Sequence, residues 1–423
     1  MIRIKGARIL DPGNMDDYRD ILIKKGVIDS IVDPAAPDED SGVNVVDATG
    51  MIAVPGLVDM HVHLREPGHE YKETIETGLK AAAAGGFTTV CPMPNTDPVN
   101  DSSRITRFII SKAKEAGYSK VMPVGAATRG SEGVTLAEYG DMKDSGICAV
   151  SDDGRPVKNS LMMRRVLEYA AGLDLPVFSH AEDLDLADGG SMNEGRVATS
   201  LGIKGIPNSA ETLMVIRDIE LSRLTGSRVH ICHVSTKESV RAIRRAKEEG
   251  IPVTCETAPH YFTLTHEAVK EYDTNAKMNP PLRTDEDRQA IIEGLCDGTI
   301  DVIASDHAPH SLLEKDLEFD MAAFGIVGLE TSLALSLKLW HDGIMPLESV
   351  LEKMAKKPAE ILGFHNDLKP GGTADITIID PESSFTVLPE EFRSKGRNTP
   401  FSGWNLKGGA HATIIDGRVI SYD

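Results

Sequence analysis

The chain has 423 residues, 41% of them hydrophobic, with 65 acidic against 45 basic side chains and a formal net charge of −20 at pH 7. That length supports one large domain and a smaller companion. The acid excess repels nucleic acids and anionic membrane surfaces, and no apolar run reaches the roughly 20 residues needed to span a bilayer. A small anionic substrate stays admissible, because screening over about 8–10 Å lets local cations govern a pocket.

The N-terminus, MIRIKGARIL, alternates charge and hydrophobe like a strand and lacks the continuous apolar stretch of a signal peptide, so a soluble cytoplasmic protein is expected. Through residue 54 the chain reads as strands, with turns at Lys25-Gly26 and Thr49-Gly50. From Gly56 on, short apolar runs alternate with helical patterns. The runs are GLVDMHVHL, TTVCPMP, VMPVGAAT, ICAVSDD, LPVFSHAED, RVHICHVST, IPVTCETAPHY and DVIASDHAPH. Between them, stretches such as SSRITRFIISKAKEAG and SAETLMVIRDIELSRLTG repeat apolar residues at helical spacing and end on a capping glycine. Nearly all-apolar strands alternating with helices predict a closed parallel (β/α)8 barrel over residues 55–365. An open doubly wound sheet is the alternative, but no GxGxxG or GxxxxGKS/T sequence supports it. Pattern fails between residues 311 and 326, which predicts a long loop, functional or mobile as a lid. A helical segment, Pro346–Leu362, precedes further strands in ADITIIDPESSFTVL and HATIIDGRVISYD, the latter turning at Asp416-Gly417. Residues 1–54 and 366–423 are expected to meet in one small β-sandwich domain. The five cysteines (Cys91, Cys148, Cys232, Cys255, Cys296) are scattered, as buried free thiols of a reducing compartment would be, and argue against a thiolate zinc site.

Strand ends carry the chemistry. His61 and His63 alternate with Val62, so both imidazoles share a face. Further along come Asp152 and Asp153 in SDDG, His180 in SHAED, His230 and His233 in HICHVST, and Asp306, His307 and His310 in SDHAPH. Singly, each has a plain reading: a histidine at a strand end is usually a hydrogen-bonded rim residue, and DDG is a common turn. Their gathering at the same end of several strands argues instead for a metal site. Imidazoles and carboxylates without thiolate suit zinc or a similar divalent ion. They outnumber the ligands one ion can use while keeping an open position, so a bridged pair of ions is expected. Strand parity does not choose between Asp152 and Asp153. His230, three residues before His233, falls on the opposite face and reads as structural.

Together, GLVDMHVHLREPG, MPNT, SDDG, SHAED, CHVST, KMNPPLR, SDHAPH and FGIVGLET resemble a type I dihydroorotase of the amidohydrolase superfamily, over nearly the whole chain. The HxH pair is shared across that superfamily; HLREPG with MPNT and DHAPH is more specific. The resemblance implies that His61, His63 and Asp153 hold one zinc and that Asp153, His180 and His233 hold a second, with Asp153 bridging. Many relatives bridge with a carbamylated lysine; Lys158 lies beyond the turn and does not fit that role. Asp306 takes the part of the proton-transferring residue. Arg65, Asn95 and His310 are implied at the substrate carboxylate, Asn279 at the ring, and Phe324-Gly325 as a main-chain contact. Glu66 and Pro67 read as turn residues. The implied reaction is the reversible interconversion of N-carbamoyl-L-aspartate and L-dihydroorotate. Allantoinases and hydantoinases are the nearest rivals, and a non-catalytic homologue that scaffolds aspartate transcarbamoylase is another. A homodimer and a complex with that transcarbamoylase both stay open.

Overall fold

The computed structural model describes residues 1–34 and 43–420. Strands from the two ends of the chain share one eight-stranded sheet. Ile2–Asp11 runs antiparallel to Met15–Lys24, which pairs in turn with Val27–Val32. The turn between the last two has both central residues in the left-handed region, Lys25 at φ 51° and Gly26 at φ 84°. That is the backbone a two-residue hairpin requires to match strand twist. Asp416 and Gly417, at φ 48° and 69°, repeat the device between Asn405–Ile415 and Arg418–Val419. Ile52–Pro55 makes the join: it lies parallel to Ile2–Asp11 on one side and antiparallel to Ile376–Thr386 on the other. Ile4, Ile9, Ile21, Ile376, Ile378 and Ile414 fill the core between these strands, each contributing about 1.5–3 kcal/mol by leaving water.

The middle of the chain is α/β with parallel strands. Leu57–Val62, Phe87–Pro92 and Lys120–Val121 form one sheet. Val124–Ala126, Ala149–Ser151, Val177–Ser179, Val229–Ile231, Val253–Thr257 and Val302–Ile303 form another. A parallel bridge between Val62 and His307 ties the end of the last strand to the first. Most of these strand residues are buried, which explains why they read as continuous apolar runs rather than alternating ones. Helices return the chain between strands. Ser103–Ala116 and Asn208–Thr225 end, as the sequence predicts, on left-handed glycines, Gly117 at φ 73° and Gly226 at φ 67°.

The structure refines three expectations. Pro346–Leu362 is two short helices, Leu347–Leu351 and Lys357–Leu362, joined by a π turn over Glu352–Lys356. Four cysteines are buried, but Cys296 is exposed near the end of Asp285–Asp297. Residues 311–326 hold one helical turn, Leu312–Lys315, and the rest is irregular, with the Gly325 carbonyl held by Asn398 Nδ2. No helix among the described residues is long and apolar enough to cross a membrane.

Candidate active site

The strand ends deliver their polar side chains to one place. Asp153 sits at its centre: its Oδ1 lies 3.4 Å from His61 Nε2, 3.5 Å from His180 Nδ1 and 3.7 Å from His233 Nε2, and its Oδ2 lies 3.7 Å from His63 Nε2. Asp306 Oδ1 is 3.3 Å from His63 Nε2 and 3.6 Å from His61 Nε2. All six of these residues are buried. Asp152 turns away and accepts the Thr128 N–H at 3.0 Å. The two adjacent aspartates, indistinguishable by parity, are thus separated by the neighbouring chain segment.

Buried carboxylates behind the histidines orient them. Glu256 accepts from His61 Nδ1 at 2.6 Å, which leaves Nε2 aimed at the centre. Its other oxygen is 3.3 Å from His230 Nε2, so His230 has the structural role its parity predicts. Glu182 lies 3.1 Å from His180 Nε2 and accepts from Asn279 Nδ2 at 3.0 Å. Neither glutamate was singled out in the sequence. The signal was there: an acid inside the otherwise apolar VTCET strand, and one two residues after His180.

The expected substrate residues ring this centre. Arg65 Nε donates to the Pro309 carbonyl at 3.2 Å, and its guanidinium lies 3.4 Å from His310 Nε2. His310 Nε2 also lies 2.8 Å from the Phe324 carbonyl, which makes it the protonated nitrogen; Nδ1 then accepts from Lys72 Nζ at 3.4 Å. Asn95 bridges two residues of the centre. Its Oδ1 is 2.9 Å from His63 Nδ1 and its Nδ2 donates to Asp153 Oδ2 at 3.2 Å. Gly325, at φ 128°, packs so closely that a Cβ there would come within 2.7 Å of the Ala308 Cβ. Lys158 pairs with Asp185 at the surface, away from the centre. Arg65, His233 and Asp306 adopt φ 62°, 36° and 50°. Left-handed non-glycine residues cost about 1–3 kcal/mol each and persist where packing over-determines them, typically at functional sites.

Electrostatics mark the centre as a place for positive charge. Burial alone would raise the Asp153 carboxyl, but the His61 charge and the adjoining His180 and His233 imidazoles hold it well below the usual range. Burial opposes ionisation of Asp306 too, yet the charge on His61 and the hydrogen bond from His63 bring it to about 2. In turn, burial disfavours the His180 imidazolium, but Asp153 and Glu182 draw it up to about 10. His61 Nε2 and Asp153 Oδ1 are buried without a hydrogen-bond partner, an expensive condition unless something charged completes them. Ligand atoms of His61, Asp153 and His233, and of His61, His63 and Asp306, fall within 4.8 Å of one another. The donor set therefore fits divalent cations, which would take over the neutralising task from protons.

Comparisons with known proteins agree with this geometry. Residues 50–239 match the family model described as Dihydro-orotase-like. The dihydroorotase of Desulforapulum autotrophicum is 61% identical over 420 residues, 99% of each chain. That of Geobacter metallireducens is 56% identical over 420 residues, covering 99% of this chain and 98% of its own. Among solved structures, the L-hydantoinase (dihydropyrimidinase) from Arthrobacter aurescens superposes with a TM-score of 0.88 at 26% identity, over 99% of this chain and 96% of that one. Carrying both the site and this likeness along its whole length, the chain belongs to the dihydroorotase family.

Proposed function

We infer that this chain is a dihydroorotase, opening and closing the ring between L-dihydroorotate and N-carbamoyl-L-aspartate in pyrimidine biosynthesis. The observation that carries the reading is Arg65, a guanidinium at the mouth of the imidazole–aspartate cluster. Hydantoinases, the solved neighbours in fold, are named for a ring that bears no carboxylate; dihydroorotate bears one. A guanidinium offers paired donors to such a group. Further support comes from the strand pairing. The run through residues 120–126 and the bridge from Val62 to His307 are what a closed eight-stranded barrel needs, with the site at the C-terminal rim of its strands. On this reading residues 55–365 are the catalytic barrel, and 1–54 with 366–423 make the companion β domain.

His61, His63 and Asp153 would hold one divalent ion, zinc by the donor set, and Asp153, His180 and His233 a second. When bound, such ions activate water and polarise the amide carbonyl. Asp306, an ionised carboxylate at neutral pH, accepts the proton of the attacking water and passes it to the departing ring nitrogen; ring closure uses it in the opposite sense. Arg65 binds the substrate carboxylate. His310, held by Lys72 and Phe324, stands beside Arg65 at the same carboxylate. Asn95 braces His63 against Asp153 and faces the same carboxylate, Asn279 contacts the ring, and the Phe324-Gly325 main chain closes the pocket.

A ring-opening assay on dihydroorotate, with allantoin and dihydrouracil as controls, tests the assignment; turnover of a control with dihydroorotate untouched would overturn it. Arg65→Met is expected to lower kcat/KM for dihydroorotate by about 30-fold or more, since truncating one member of a buried charge pair costs about 2–5 kcal/mol, while metal content is unchanged. Stripping the protein with a chelator is expected to abolish turnover and lower the melting temperature. Restoring zinc at about 100 times its Kd should return about 2.7 kcal/mol of stability, read by a thermal shift alone.

A further inference from the structure

The segment that brings Phe324 and Gly325 to the site is fastened by a buried lysine. Lys315 is 5% exposed, and its Nζ lies 2.8 Å from the Ala323 carbonyl, 3.0 Å from that of Gly325 and 3.3 Å from that of Lys277. An ammonium has three N–H donors and no acceptor, so three carbonyls use its whole capacity. The same main chain is tied from other sides. The Gly325 N–H donates to the Lys277 carbonyl at 3.0 Å, and Asn398 Nδ2 donates to the Gly325 carbonyl at 3.0 Å. Lys277 directs its own ammonium to the Asp320 carbonyl at 2.9 Å and lies 4.4 Å from the Phe324 ring centroid. Glycine is required at 325 by φ and by contact, so the loop's shape is imposed from below rather than chosen by its own residues.

We propose that Lys315 is a positioning residue for substrate binding: its ammonium gathers three main-chain carbonyls and thereby sets the Phe324-Gly325 backbone against the substrate ring. The proposal rests on the reading of that backbone as a substrate contact. It has a built-in pH dependence. Burial, reinforced by the charge on Lys277 and opposed by Asp273, draws the Lys315 ammonium down to about 7. On the flanks, burial draws the Lys277 ammonium down to about 8 against the pull of Asp320, and His310 faces the Lys315 charge as well as Arg65, Lys72 and Glu314. Once deprotonated, the amine has two donors for three carbonyls, and one carbonyl is left unpaired in a buried site.

Lys315→Met keeps the stem and removes the donors. At pH 6.5 its KM for dihydroorotate is expected to rise about tenfold or more, since all three hydrogen bonds to the loop carbonyls are lost, with kcat within about twofold. Wild-type KM should climb toward the variant's value from about pH 6.5, while the variant, left with only the Lys277 ammonium to titrate near 8, should change less and later in the interval to pH 8.5. A variant KM equal to wild type at pH 6.5 would overturn the proposal, as would an equal pH slope in both proteins. Should the variant not fold, hydrogen exchange on the wild type decides. Protection of the Gly325 amide is expected to fall across the same pH interval beyond the intrinsic rate change, and constant protection overturns the idea. Absence of any dihydroorotate turnover by wild type would instead refute the underlying functional reading, and the exchange result stands independently of it.

Discussion

Asp153→Ala is expected to yield a folded protein that no longer retains divalent ions and has lost turnover. The carboxylate lies within 3.7 Å of four imidazoles that arrive from three other strand ends, and it supplies an oxygen to both halves of the cluster. Without it, His61, His63, His180 and His233 lose the one carboxylate that faces all four, and only Asp306, beside His61 and His63, is left as an anion within the cluster. Activity should fall by more than the about 10–100-fold that follows loss of an outer-shell partner. The neighbouring Asp152→Ala is the control. Asp152 accepts from the main chain and hydroxyl of Thr128 rather than facing the imidazoles, so that variant loses about 1–3 kcal/mol of stability through unpaired donors and keeps its ions. Metal analysis of the two purified variants separates the roles; a metal-replete Asp153→Ala would remove Asp153 from the centre.

The contrast between those two aspartates shows where the sequence is legible and where it is not. His61, His63, His180 and His233 stand at strand ends, and period-two alternation with the barrel-like pattern is enough to send them to one rim. Asp152 and Asp153 lie past the last strand residue, in a turn, where alternation has stopped; Thr128, from the neighbouring segment, decides which one turns inward. Glu256 reaches His61 across 195 positions and Glu182 reaches Asn279 across 97, and no local pattern encodes such pairings. Asn95, expected at the substrate, also lies between His63 and Asp153, and MPNT fixes its place in the chain but not these contacts. The terminal strands and their turns at Lys25-Gly26 and Asp416-Gly417 were readable from residue type. That the two chain ends would meet follows from two incomplete sets of strands; which strands join, Ile52–Pro55 with Ile376–Ile379, is seen only in the register. Residues 311–326 lack helical or strand periodicity, and long-range contacts hold them: the ammonium of Lys277 on the Asp320 carbonyl, Asn398 on that of Gly325, and the segment's own Lys315 on three carbonyls. Irregular sequence here means borrowed order.

Asp306→Asn is expected to lower kcat by about 10²–10⁴-fold, the usual worth of a positioned acid–base group, with metal content and KM little changed. The substitution suits the question. Asp306 sits at φ 50°, a conformation asparagine tolerates better than most residues, so the backbone that hands His307 to the bridge with Val62 is preserved. The amide keeps the size of the carboxylate and cannot accept a proton. Asp306 Oδ1 is 3.3 Å from His63 Nε2 and 3.6 Å from His61 Nε2, so the test must separate loss of a base from loss of a metal ligand. Metal analysis divides them. An inactive variant that still binds its ions, and still binds dihydroorotate with near-normal affinity, places Asp306 in proton transfer; an inactive variant stripped of ions makes it a ligand. A variant that turns over dihydroorotate at the wild-type rate would deny it either role and pass the proton to another group at the mouth, with His260, buried and with its Nε2 unpartnered, the first to be tested.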